Sequence, residues 1–275
     1  MQLCMNEMTL GGRNGLIADI EVCASHGYTH MEIRRASLLE YLRQGGTLEE
    51  LKATFERCGI KPACLNSIES ISFNNKRGMR VLTEMSEYLF YCCKTIGCEC
   101  VEVIGSFKVD APEEEINAET VRALIQLSDA AKPYGVKLAL EYMGVPASSV
   151  KTFKQALDIV NAVNRENVGI LLDTWHHYAG GCGTDEILMA DKGQIFMVHT
   201  SDCPAHAPFE ALRPESFMPG DGAVDIAGML ANLKKVGYDG AVSVEVMAPE
   251  IQALPAEQLL ELARKSTQPL LDNLN

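Results

Sequence analysis

The sequence predicts a (β/α)8 TIM barrel, an α/β fold closed as a single domain over residues 1–275. Three observations carry this. Eight short runs rich in β-branched and apolar residues recur along the chain. Each is separated from the next by a longer amphipathic segment. No Pro/Ser/Gly linker, low-complexity stretch or break in composition interrupts the alternation. Divided over eight β/α units, the chain gives about 34 residues per unit, in line with barrels of this kind.

The first strand is expected over Leu3–Met8. It runs on into Thr9-Leu10-Gly11-Gly12 without the G-x-G-x-x-G loop that would announce a doubly wound sheet, the rival α/β fold. The amphipathic segment Gly15–His26 stops at Gly27, and the second strand follows over Thr29–Arg34. Thr47 and Glu50 form a Thr-x-x-Glu capping box at the head of a helix over Thr47–Cys58, which ends at Gly59 before strand Lys61–Ile68. The fourth strand is Cys100–Gly105. A helix over Asn117–Tyr134, with Asn117 as candidate N-cap and Gly135 as its stop, leads to strand Val136–Tyr142. Strands six and seven are Val168–Thr174 and Ile195–Asp202. A helix over Asp225–Val236, capped by Asp225 and stopped by Gly237, precedes strand eight, Gly240–Met247.

Charge and cysteine usage narrow the function. With 24 basic and 37 acidic residues the formal charge is −13, and no Lys/Arg block offsets it, so a phosphate backbone would be repelled and nucleic acid is excluded as partner. No run of about 18 apolar residues exists, and the start MQLCMNEMTL reads as neither signal peptide nor lipidation motif. A cytoplasmic protein without membrane contact is expected. The ten cysteines then read as small buried hydrophobes in a reducing compartment. Cys92, Cys93, Cys98 and Cys100 have the wrong spacing for a zinc ribbon or a ferredoxin-type cluster.

In a barrel, chemistry gathers at the C-terminal ends of the strands. From strand five onward those ends carry Glu141, Asp173, His199 and Glu245. Burying one carboxylate there is costly, and three converging on one mouth would repel each other. One divalent cation removes both objections. Three carboxylates and an imidazole form a hard, oxygen-rich donor set, which suits Mn²⁺, Mg²⁺ or Co²⁺ and also accommodates Zn²⁺. His176, three residues after Asp173, can face the same pocket, as a contact to a substrate hydroxyl or as a satisfied loop residue. Asn66, near the end of strand three, divides the same way. Trp175, the single tryptophan, is placed either to wall a sugar pocket or to pack beneath the loop. His26 and His30 fall at the opposite mouth and read as structural, and His206 has no assignable role. Gly220-Asp221-Gly222 is too short a pattern for a phosphate cradle.

Several segments together resemble the xylose-isomerase-like barrel superfamily of sugar isomerases and epimerases, and within it the branch that acts on inososes. They are Leu3-Cys4-Met5-Asn6-Glu7, His26-Gly27-Tyr28, Met31-Glu32-Ile33-Arg34, Phe73-Asn74-Asn75, the stretch from Pro133 to Glu141, the stretch from Ile159 to Gly169, and Val242-Ser243-Val244-Glu245. The family's metal ligands fall on Glu141, Asp173, His199 and Glu245. The resemblance implies a metal-dependent isomerase or epimerase that moves a proton between adjacent carbons of a small polyhydroxy ketone, an inosose or ketose, through a metal-stabilised enediolate. Mn²⁺ is the expected ion, Glu141 and Glu245 the general base and acid, and His176 a substrate contact. Homo-oligomerisation through barrel loops is expected on the same ground. Elimination chemistry on the same barrel, as in an inosose dehydratase or a C-glycoside-cleaving lyase, is the alternative, with a non-catalytic binding subunit beyond it. One departure bears on the substrate. Where the family loop resembles Arg-x-x-Pro-Gly-x-Gly, this chain has Ser216 in the arginine's place, and Arg213, three residues earlier, is the candidate substitute.

Overall fold

The structure is a computed structural model that describes residues 1–210 and 215–274. Eight parallel strands pair in sequence order and close, β8 hydrogen-bonding to β1. They are β1 (Gln2–Asn6), β2 (His30–Arg34), β3 (Lys61–Ile68), β4 (Cys100–Ile104), β5 (Lys137–Glu141), β6 (Val168–Asp173), β7 (Ile195–Thr200) and β8 (Ala241–Val244). The described helices are α1 (Glu7–Leu10), α2 (Leu16–Ser25), α3 (Arg35–Arg43), α4 (Leu48–Cys58), α5 (Lys76–Ile96), α6 (Glu113–Ala131), α7 (Phe153–Val163), α8 (Thr174–Ala179), α9 (Ile226–Lys235), α10 (Pro249–Gln252) and α11 (Ala256–Asp272). The barrel predicted from the alternation is the one observed.

Local chemistry explains most boundaries. At α4 the capping box is complete: the Glu50 amide donates to the Thr47 hydroxyl and the Thr47 amide donates to the Glu50 carboxylate. Gly59 then takes φ 67°, a left-handed turn that costs glycine nothing, and releases the chain into β3. Asp225 caps α9 by accepting from the Gly228 amide at 2.9 Å. Several element ends shift from the sequence reading, among the strands β8 most, stopping at Val244 and not at Met247, and two of the shifts have a visible local cause. Helix α6 starts at Glu113, four residues before Asn117, because Pro112 supplies the N-cap and three glutamates fill the first turn at the positive end of the helix dipole. Asn117 instead accepts from the Gln155 side chain at 2.9 Å. Strand β1 stops at Asn6 and not at Met8, since the Asn6 carboxamide oxygen accepts from the Met8 amide and turns the chain into α1.

Strand alternation sorts the barrel interior into layers. Cys4, Cys64, Cys100, Ala139, Leu171 and Met197 form an apolar cluster inside the strands. Two residues further along the same strands, on the same face, come Asn6, Asn66, Glu102, Glu141, Asp173 and His199. A greasy plug thus underlies a polar tier. All ten cysteines are free, Cys92, Cys93, Cys98 and Cys100 among the buried ones, as the reading of them as small hydrophobes requires.

Candidate metal centre

Each of the four strand-end residues is held from its own element. Glu141 is the last residue of β5 and His199 lies near the end of β7. Asp173 closes β6 and also caps α8, its Oδ1 accepting from the Trp175 amide at 2.7 Å and the His176 amide at 3.2 Å. Glu245 follows β8, and its amide donates to the Thr200 carbonyl of β7. Thr9 brackets it: the Thr9 hydroxyl donates to the Val244 carbonyl at 2.9 Å and accepts from the Val246 amide at 2.8 Å.

These side chains meet. Glu141, Asp173, His199 and Glu245 are buried, and each offers one ligand atom such that all four atoms lie within 4.8 Å of one another. His199 Nδ1 stands 3.5 Å from Glu245 Oε2 and 3.8 Å from Glu141 Oε1, buried and without a hydrogen bond. Burial raises the Glu141 carboxyl above its usual pKa, and repulsion from Glu245 and Asp173 adds to this against the pull of His199. Burial alone would lower the His199 pKa, but the carboxylates of Glu32 and Glu245 lift it well above the ordinary imidazole value. Three buried acids around an imidazole nitrogen that lacks a partner are what a divalent cation satisfies, so the donor set fits one.

Three further polar residues occupy the same tier, and the sequence reading passed over them. Glu32 of β2 and Glu102 of β4 are fully buried, and with His199 they form a second group whose ligand atoms lie within 4.8 Å. Glu32 Oε2 lies 2.8 Å from His199 Nε2 and accepts from Asn6 Nδ2 at 3.0 Å. Asn6 Nδ2 also reaches Glu245 Oε1 at 3.4 Å. Burial, and then the Glu141 charge, push the Glu102 carboxyl far above its usual range. A signal for the burial of the two glutamates was present in the sequence. Met31-Glu32-Ile33 and Val101-Glu102-Val103 each set a carboxylate between apolar neighbours inside a strand.

The remaining expected contacts are placed as follows. His176 is fully buried, with the Trp175 ring edge-on to it at a centroid distance of 4.9 Å. Trp175 is also fully buried, and its indole N–H donates to the Glu215 carbonyl at 3.4 Å. Asn66 is half-buried in the inward row of β3, paired in register with Arg34. Arg213 lies outside the described residues. Ser216 is buried, and its hydroxyl accepts from the Met247 amide at 2.8 Å, so it ties its loop to the chain just past Glu245. The loop after β7 is gathered by Asp202, whose carboxylate accepts from the amides of Cys203, Gly220, Gly222 and Val224. A side chain at Gly222 would collide with the Cys203 carbonyl and the Asp202 carboxylate, which only glycine avoids.

A sequence model described as xylose isomerase-like TIM barrel matches residues 20–268. The chain belongs to the xylose isomerase-like TIM barrel family. Among its relatives is an inosose isomerase from Bacillus subtilis (strain 168), 38% identical over 272 residues, which span 97% of this chain and 96% of the relative. Another, from Bacillus velezensis, is 36% identical over 276 residues, spanning 98% and 97%. The crystal structure of IOLI protein with a binding zinc atom superposes with a TM-score of 0.95 at 36% identity, covering 100% of this chain and 99% of that one. This member of the xylose isomerase-like family therefore shares with those relatives its barrel over nearly the full length of the chain.

Proposed function

We propose that this chain is a divalent-metal-dependent isomerase of a small polyhydroxy ketone, with an inosose the first substrate to try. The observation that carries the proposal is the convergence of Glu141, Asp173, His199 and Glu245 within 4.8 Å at one end of the barrel. The similarity to inosose isomerases supports the substrate class. A divalent cation bound by these four residues would polarise the substrate carbonyl and acidify the neighbouring C–H. Mn²⁺ suits the three carboxylates, and Zn²⁺ is the competitor, being the ion in the IOLI relative.

Glu141 and Glu245 sit on β5 and just past β8, three strands apart around the closed ring, so they address a bound substrate from different sides. One takes the proton from the hydroxyl-bearing carbon. The other returns a proton to the former carbonyl carbon, while the two oxygens exchange hydroxyl and carbonyl roles. His176 and Asn66 hold substrate hydroxyls, Trp175 backs His176, and Arg213 is the cationic candidate for the loop position that Ser216 occupies. The same reading places the protein in the cytoplasm, in inositol breakdown, as a homo-oligomer. Among the described residues no helix is long and apolar enough to cross a membrane.

The test is NMR of inososes and ketohexoses with the metal-loaded protein in D₂O. Isomer interconversion with deuterium uptake beside the carbonyl is expected. Neither event across the panel, or loss of water in place of isomerisation, would overturn the proposal.

A further inference from the structure

The tier around His199 contains a device that decides which imidazole nitrogen is presented to the metal. The chain of cause starts at a helix cap. The Asn6 carboxamide oxygen is engaged by the Met8 amide at 2.9 Å, which fixes the orientation of the amide and turns its NH₂ inward. That NH₂ donates to Glu32 Oε2 at 3.0 Å. The same Oε2 lies 2.8 Å from His199 Nε2, and as an acceptor it draws the ring proton to Nε2. In the neutral ring that a metal ligand must be, the lone pair is then left on Nδ1, and it is Nδ1 that faces Glu141 and Glu245 without a hydrogen bond of its own.

We propose that Glu32 is the positioning residue of the metal centre, holding His199 in its Nε2–H form so that Nδ1 is the ligand. Glu32 is not one of the four residues of the converging quartet. It acts through His199, fixing the ring plane and making the imidazole a stronger donor, as a carboxylate behind a metal-bound histidine does in general. β2 thus joins a centre whose ligands all come from strands five to eight. Asn6 ties the arrangement to Glu245, since its NH₂ reaches Glu245 Oε1 as well.

The inference rests on the quartet being a metal centre, and the experiment separates the two. Long-range ¹⁵N–¹H correlation spectra of the zinc-loaded wild type are expected to show His199 protonated at Nε2 and zinc-bound at Nδ1. For Glu32→Gln, zinc affinity measured against a competing chelator is expected to fall about 10- to 100-fold, with circular dichroism of the metal-free variant unchanged. Zinc bound through Nε2 in the wild type would overturn the inference alone, and this result stands even if the variant does not fold. A folded Glu32→Gln that binds zinc within twofold of wild type would do the same. No zinc uptake by the wild type would overturn the metal centre and the inference together.

Discussion

Glu141 and Glu245 lie beside one imidazole but are anchored differently, Glu141 as the last residue of β5 and Glu245 between two bonds to Thr9. Either Glu141→Gln or Glu245→Gln removes a proton carrier while keeping the side-chain shape. The expected loss in kcat is about 10²- to 10⁴-fold, read as deuterium wash-in from D₂O. Glu7 makes a different prediction. It is buried, its Oε2 accepts from the Arg34 amide at 2.7 Å, and burial pushes its pKa up to about 7. The folded state therefore keeps a proton that the unfolded chain releases near pH 4.5, so stability falls as pH rises through this window, and the cost is fully present above pH 7. Glu7→Gln keeps an acceptor for the Arg34 amide and removes the titration. It should be more stable than wild type by about 3 kcal/mol at pH 8 and nearly equal to it at about pH 4, as measured by denaturant unfolding at the two pH values.

At the scale of elements, the loop after β7 depends on one side chain. Asp202 is fully buried and accepts four backbone amides, three of them from the segment that carries Gly220 and Gly222. Asp202→Ala strands those amides. It should cost about 2–4 kcal/mol and accelerate hydrogen exchange at Gly220, Gly222 and Val224 more than in the barrel strands. Elements with local signals were legible in the sequence: the capping box of α4 and the Asp225 cap of α9 are seen as read. Those set by a competing local bond were not. Asn6 ended β1 early because its side chain prefers the Met8 amide, and Pro112 started α6 ahead of Asn117. The same limit applied to the centre. The quartet that converges was readable because it recurs at four successive strand ends. For Glu32 and Glu102 the sequence showed only a carboxylate between apolar strand residues, and for Asn6 no comparable pattern, because their partners come from strands far apart in sequence, such as Glu32 with His199.

For the molecule as a whole, the polar tier carries charges that burial opposes, and a bound ion should be felt across the fold. A divalent metal at 100 times its Kd adds about 2.7 kcal/mol. This is expected to raise Tm by about 5–10 °C, to be reversed by chelator, and to be absent in Asp173→Asn. Differential scanning calorimetry with and without the ion checks it. The apolar plug of Cys4, Cys64, Cys100, Ala139, Leu171 and Met197 has its own consequence. With the floor closed, the barrel is a cup and not a tube, and whatever reaches Glu141 and Glu245 must leave over the same rim. Two isomers of one formula then share one doorway, so each excludes the other from the site, and the forward reaction slows as its own product accumulates.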